Sequence, residues 1–165
     1  MDSTLSDHLE APRFENAKAF LVAGVGERIS CDNGAIIPGL WQRFHHAVAD
    51  IPAGADKAAT PVAYGVCCNG DDAGNFDYIA GIEVLDFSDL PGRFSRIRIP
   101  AQRYAVFSHT EHIASIRRTV NAIWNHWLPA SGLTAADAPN FERYDARFDP
   151  ATGNGGLEIW VPLRD

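Results

Sequence analysis

One element order, strand–helix–strand–strand, runs through the chain twice, and this constrains the fold more than any other feature of the sequence. In the first pass, AKAFLVAGVGERI is rich in β-formers and predicts a strand from about Ala17 to Ile29. PGLWQRFHHAVADI then places Ile37, Leu40, Trp41, Phe44, Ala47, Val48 and Ile51 on one helical stripe. Pro38 suits a first helical turn, so a helix is expected over 37–50. VAYGVCCN and FDYIAGIEVL follow as two strands joined by the turn GDDAGN.

After DLPGR the order repeats. RIRIP alternates and YAVFSH is a strand. A helix over 113–128 carries Ile113, Ile116, Val120, Ile123, Trp124 and Trp127, with Pro129 and Gly132 as its stop. NFERYDARF and LEIWVPL are the last strands, joined by DPATGNGG. Laying Pro61 on Pro139 sets the two units roughly 78 positions apart. The reading is an α+β fold: a duplicated strand–helix–strand–strand unit with pseudo-twofold symmetry, an antiparallel sheet, and two helices flanking a central groove. Residues 1–13 read as a flexible arm and 14–165 as a single domain. A cleft on the pseudo-axis is a natural ligand site.

At 165 residues and 46% apolar content, one hydrophobic core suffices without disulfides or metal. The formal net charge of −7 argues against nucleic acid and anionic membrane surfaces as partners, and favours small cations. No apolar run approaches the ~18–20 residues of a membrane span, and the polar, acidic N-terminus is unlike a secretory signal. A cytoplasmic protein is therefore expected. Cys31, Cys67 and Cys68 form no CxxC pair and read as reduced thiols.

Catalytic and cofactor motifs are scarce. His109 and His112 are spaced three apart near a helix start, but no cluster supplies further ligands and HExxH is absent, so neither metal nor cofactor is expected. GxSxG, Walker and complete GxGxxG motifs are also missing, and no catalytic residue is assigned. The informative residue is Glu142. Strand alternation puts Glu142 and Tyr144 on one face, Phe141 and Arg143 on the other. Two readings stand: a surface glutamate paired with Arg143, or a buried anion set among aromatic rings to neutralise a cation.

The stretches PRFENAKAFLVAGV, LWQRF, YGVCCNGDDAGNFDYIAGIEV, RIPAQRYAVFSHT, TVNAIWNHWLPASG, FERY and EIWVPL, in this order and spacing, resemble the GyrI-like effector-binding domains. That family also forms the C-terminal ligand-sensing part of BmrR-type and Rob-type transcription regulators. The resemblance covers about Pro12 to Leu163. It implies a groove between the halves, lined by aromatics, with Glu142 at its floor and Tyr64 as partner across the pseudo-axis. Trp41, Tyr78, Tyr104, Trp124 and Trp160 match places where the family carries pocket or core aromatics.

Two departures from the family pattern stand out. The chain has no helix-turn-helix ahead of the domain, so a free-standing module is expected, and HTEHIA replaces the usual small residue before the second helix. The expected function is binding of a small amphipathic, cationic aromatic compound. Alternatives implied by the family are a hydrolase of strained electrophiles, with Glu142 as general base and Tyr104 as proton donor, and a protein-interaction module with a protein partner or as a homodimer.

Overall fold

The computed structural model describes residues 9–30, 34–52 and 62–164. Residues 1–8 of the expected arm, Cys31 and Pro61 lie outside them. The elements are β1 (Arg13–Ala17), β2 (Phe20–Ile29), α1 (Ile37–Ala47), β3 (Ala63–Cys68), β4 (Phe76–Val84), β5 (Ser95–Ile99), β6 (Gln102–His109), α2 (Ile116–Ala122), α3 (Leu128–Ser131), β7 (Asn140–Tyr144) and β8 (Leu157–Leu163).

All eight strands join one antiparallel sheet in the order β1-β6-β8-β7-β3-β4-β2-β5. The duplicated unit is visible in this order. The trio β2, β4, β3 mirrors the trio β6, β8, β7, and β3 meets β7 at the centre. Each unit also has a leading strand, and the two leading strands are exchanged. β1 precedes the first unit but pairs with β6, while β5 precedes the second unit but pairs with β2. This exchange corrects the single strand expected from Ala17 to Ile29. The chain breaks at Lys18-Ala19 because β1 and β2 belong to opposite halves of the sheet.

Both helices lie on one face. Leu40 and Phe44 of α1 pack on Ala23, Ala80, Ile82 and Val84 of the first half. On the second half, Ile123 packs against Ala105, Phe107, Ile159 and Val161. The opposite face curls on itself: Phe20 of β2 reaches Phe141 of β7, with ring centroids 5.7 Å apart across two intervening strands. That contact closes an aromatic cluster with Tyr64, Tyr104 and Trp160.

The second helix departs from expectation at Pro129. It opens with a 3₁₀ turn, Ile113–Ser115, runs through α2, widens to a π-helical turn over Ile123–Trp127, and continues as α3. Pro129 therefore does not end it. Lacking an N–H for the carbonyl four residues back, it disturbs the ladder of the preceding turn, where the helix widens. Gly132, at φ +77°, is the actual stop, since the left-handed conformation carries little penalty only for glycine.

Candidate functional site

Because α1 covers one half of the helical face and α2 the other, the central strands β3 and β7 lie uncovered between them. Side chains of β4 and β7 form the floor of a cavity of about 860 Å³ between the helices. Alternation along β7 sends Glu142 and Tyr144 to this face, and Tyr78 of β4 joins them.

The floor is a closed hydrogen-bond network. Tyr78 Oη donates to Glu142 Oε1 at 2.8 Å, and Tyr144 Oη donates to the same oxygen at 2.7 Å. Trp41 Nε1, from α1, donates to Tyr78 Oη at 3.0 Å. Trp41 also packs edge-on against Tyr144, centroids 5.1 Å apart. Both hydroxyls converge on Oε1. Among the described residues, no arginine, lysine or histidine forms an ion pair with Glu142.

Electrostatics follow from this arrangement. Burial raises the Glu142 carboxyl above the usual carboxylate range, and the Tyr144 and Tyr78 hydroxyls oppose that rise by bonding the charged form. Burial and the adjacent carboxylate push the two phenols well above the ordinary tyrosine value, which keeps them protonated as donors. A carboxylate that is costly to desolvate, held by neutral donors and with no countercharge among the described residues, is suited to receive a cation.

Gly65 makes room for the network. It sits opposite Glu142 in the β3–β7 register, and a Cβ there would meet the Tyr78 hydroxyl and come within 2.6 Å of Glu142 Oε1. Neither Gly65 nor Tyr144 was among the expected site residues. For Tyr144 the signal is its i+2 relation to Glu142; for Gly65 it requires the strand register.

Of the residues expected at the site, Glu142, Tyr78, Trp41 and Trp124 line this one cavity. Tyr64, Tyr104 and Trp160 do not. Tyr64 is opposite Arg143 rather than Glu142 in the register, so its side chain belongs to the far face. Tyr104 is wholly buried there, its hydroxyl without a partner among the described residues, and burial raises its pKa to about 12. Trp160 stacks on Phe141 at 5.3 Å and donates Nε1 to Glu158 Oε1 at 3.2 Å. The reading of Glu142 as a partner of Arg143 is also not realised, for Arg143 turns to Asp145 and Glu158.

The paired histidines serve the fold. Buried His109 bonds Thr119 Oγ1 at 2.7 Å and the His112 carbonyl at 3.0 Å. His112 caps the second helix, its Nδ1 accepting from Ala114 N at 3.0 Å while Nε2 donates to the Thr152 carbonyl at 2.7 Å. Among the described residues, no group of three or more His, Cys, Asp or Glu side chains is placed to hold a metal. No helix among them is long and apolar enough to cross a membrane.

Known proteins share this architecture. The chain is similar in fold to SAV2435, solved bound to tetraphenylphosphonium, with TM-score 0.73, 21% identity and 94% of each chain covered. It is likewise similar to an integron cassette protein of Vibrio cholerae, with TM-score 0.70, 22% identity, and 94% of this chain and 97% of that one covered. In sequence it is 34% identical over 152 residues to the transcriptional regulator BrlR of Pseudomonas aeruginosa. That alignment covers 92% of this chain and 54% of BrlR, so the chain spans about half the length of the curated relative it matches. The family described as the GyrI-like small molecule binding domain matches residues 10–164, and the chain belongs to that family.

Proposed function

We propose that the groove binds lipophilic, cationic aromatic molecules, with Glu142 supplying the countercharge and Trp41, Tyr144 and Trp124 supplying apolar and π surface. The observation that carries this reading is a Glu142 carboxylate held by two tyrosine hydroxyls, with no ion-pair partner among the described residues, beneath aromatic walls. An ionised group in such a place is disfavoured until a positive charge arrives, and a ring face attracts the same charge. A cation that enters recovers Coulomb attraction in a poorly solvated site, where it counts for more than in water. The tetraphenylphosphonium held by SAV2435, a protein of the same fold, is a ligand of this class.

The test is a thermal-unfolding and calorimetric titration with tetraphenylphosphonium and with neutral triphenylphosphine oxide. At ~100 times its dissociation constant a ligand adds about 2.7 kcal/mol of stability. The expected result is saturable stabilisation by the cation and much weaker stabilisation by the neutral compound. Equal effects from both, or none from either, would contradict the reading.

A further inference from the structure

The groove carries a second charge, at its mouth. Arg117 lies on α2 and lines the same cavity as Glu142, but its residue is exposed whereas Glu142 is half-buried. The two residues therefore mark the outer and inner ends of the pocket. Arg13, Arg28, Arg43, Arg93, Arg143 and Arg147 are each tied to a carboxylate. Arg117 forms no ion pair among the described residues.

Its surroundings extend the pattern. Asn121 and Asn125 follow Arg117 at i+4 and i+8, so the three make one polar ridge along the wall. The Asn125 amide donates to the Asn121 side-chain carbonyl oxygen, which ties the two asparagines together along the ridge. Facing them, exposed Gln42 and His45 of α1 complete the rim. Below the ridge the wall is apolar, built from Ile113, Val120 and Trp124. Polarity thus changes with depth, from a donor-rich cationic mouth, through an apolar middle, to an acidic floor.

A simple monocation is complementary to only the inner two layers, and Arg117 repels it on entry. We infer that the preferred ligand is amphoteric: a flat apolar body with a cationic group at Glu142 and a carboxylate, or an anion of similar geometry, at Arg117. A guanidinium fork suits a carboxylate because both are planar and can bond through two parallel contacts. The inference rests on the cation reading of Glu142 and adds the second pole.

Two dyes with one chromophore test it. Rhodamine 123 is a cationic methyl ester, and rhodamine 110 is the matching free acid, zwitterionic at neutral pH. Fluorescence-anisotropy titrations would use wild type, Arg117→Met, Arg117→Gln and Glu142→Gln. Wild type should bind the acid about 5- to 10-fold more tightly than the ester, a preference that shrinks as salt rises because the mouth is exposed. Both Arg117 variants should lose the preference, with the ester bound as well as before or better, and Glu142→Gln should weaken both dyes. If wild type shows no preference for the acid, or if the preference survives in both Arg117 variants, the second pole is refuted. The cation reading then stands provided Glu142→Gln still weakens both dyes. If neither dye binds wild type, the inference and the cation reading fail together.

Discussion

Gly65 and Glu142 face each other across the two central strands, and the space left by the missing side chain at Gly65 is where the Glu142 carboxylate meets the Tyr78 hydroxyl. The floor of the groove therefore depends on a residue with no polar group of its own. Gly65→Ala should displace the Tyr78–Glu142 contact while leaving the strand paired. Losing one hydrogen bond to a charged group, at ~1.5 kcal/mol, corresponds to about a tenfold drop in cation affinity. Calorimetric titration of the variant checks this; wild-type affinity would show that the contact is dispensable.

Glu142 should also leave a mark on stability. Its carboxyl is raised in the folded state by burial, above its ordinary 4.5. A raised carboxyl means that folding favours the protonated form. Its contribution is therefore fully present below 4.5 and is lost as pH rises through the folded value. Glu142→Gln keeps an acceptor for both tyrosines and removes the charge. The variant should unfold at the same temperature as wild type near pH 4, and at a higher one near pH 7. Denaturation scans across that range test the sign; a gap that opens toward acid would contradict it.

Tyr104 and Tyr144 make a matched pair of phenols on opposite faces of the sheet. Tyr104→Phe removes a buried hydroxyl that has no partner among the described residues, so the fold should be as stable or more stable, by up to about 1 kcal/mol, with ligand affinity unchanged. Tyr144→Phe removes a 2.7 Å donor to Glu142 and should weaken cation binding several-fold. Urea unfolding and titration of both variants distinguish them. Weakened binding in Tyr104→Phe alone would move the site to the far face.

A second carboxylate, Glu158, behaves oppositely. Burial pushes it up, but hydrogen bonds from Arg13 and Trp160 and the nearby Arg143 charge overcome that and hold it below its usual value. Its contribution is present above 4.5 and lost as pH falls through the lowered value. Arg13 reaches it at 2.6 Å from the outer edge strand, with its side chain 47% exposed. Solvent screening on that side keeps the expected cost of Arg13→Met to about 1 kcal/mol at neutral pH, shrinking in acid. Urea midpoints at pH 7 and pH 3 measure it, and an equal cost at both would exclude Glu158 as the partner.

Periodicity is a local property, and it gives the local structure well. The stripe through Leu40 and Phe44, the stripe through Ile123, and the alternation that separates Glu142 from Phe141 all appear as expected. Pairing is not local. Nothing between Lys18 and Ala19 announces that β1 crosses to the far half, because that outcome is decided by β6, more than eighty residues later. The same limit misplaced Tyr64. Its position in the repeat matches that of Glu142, but the register sets it opposite Arg143 and turns it to the other face. The family resemblance leaves Tyr104 and Trp160 open as pocket or core aromatics, and the strand pattern does not choose between these, because it shows which residues share a face, not which face carries the helices. Pro129 shows a different limit: a helix breaker was absorbed, with a π turn before it and a true stop three residues later.

The proposed role of Glu142 is recognition of positive charge, and one experiment isolates it. Wild type and Glu142→Gln are titrated at pH 7 and pH 5 with an aryl quaternary ammonium ion and with its neutral tert-butyl isostere, in which carbon replaces nitrogen. A charged contact worth ~1.5–3 kcal/mol predicts that Glu142→Gln weakens the cation by roughly 10- to 100-fold and leaves the isostere almost unaffected. Acidification should weaken the cation in wild type and do little in the variant. If Glu142→Gln binds cation and isostere with wild-type affinities, Glu142 is a structural residue and the account of the groove is wrong.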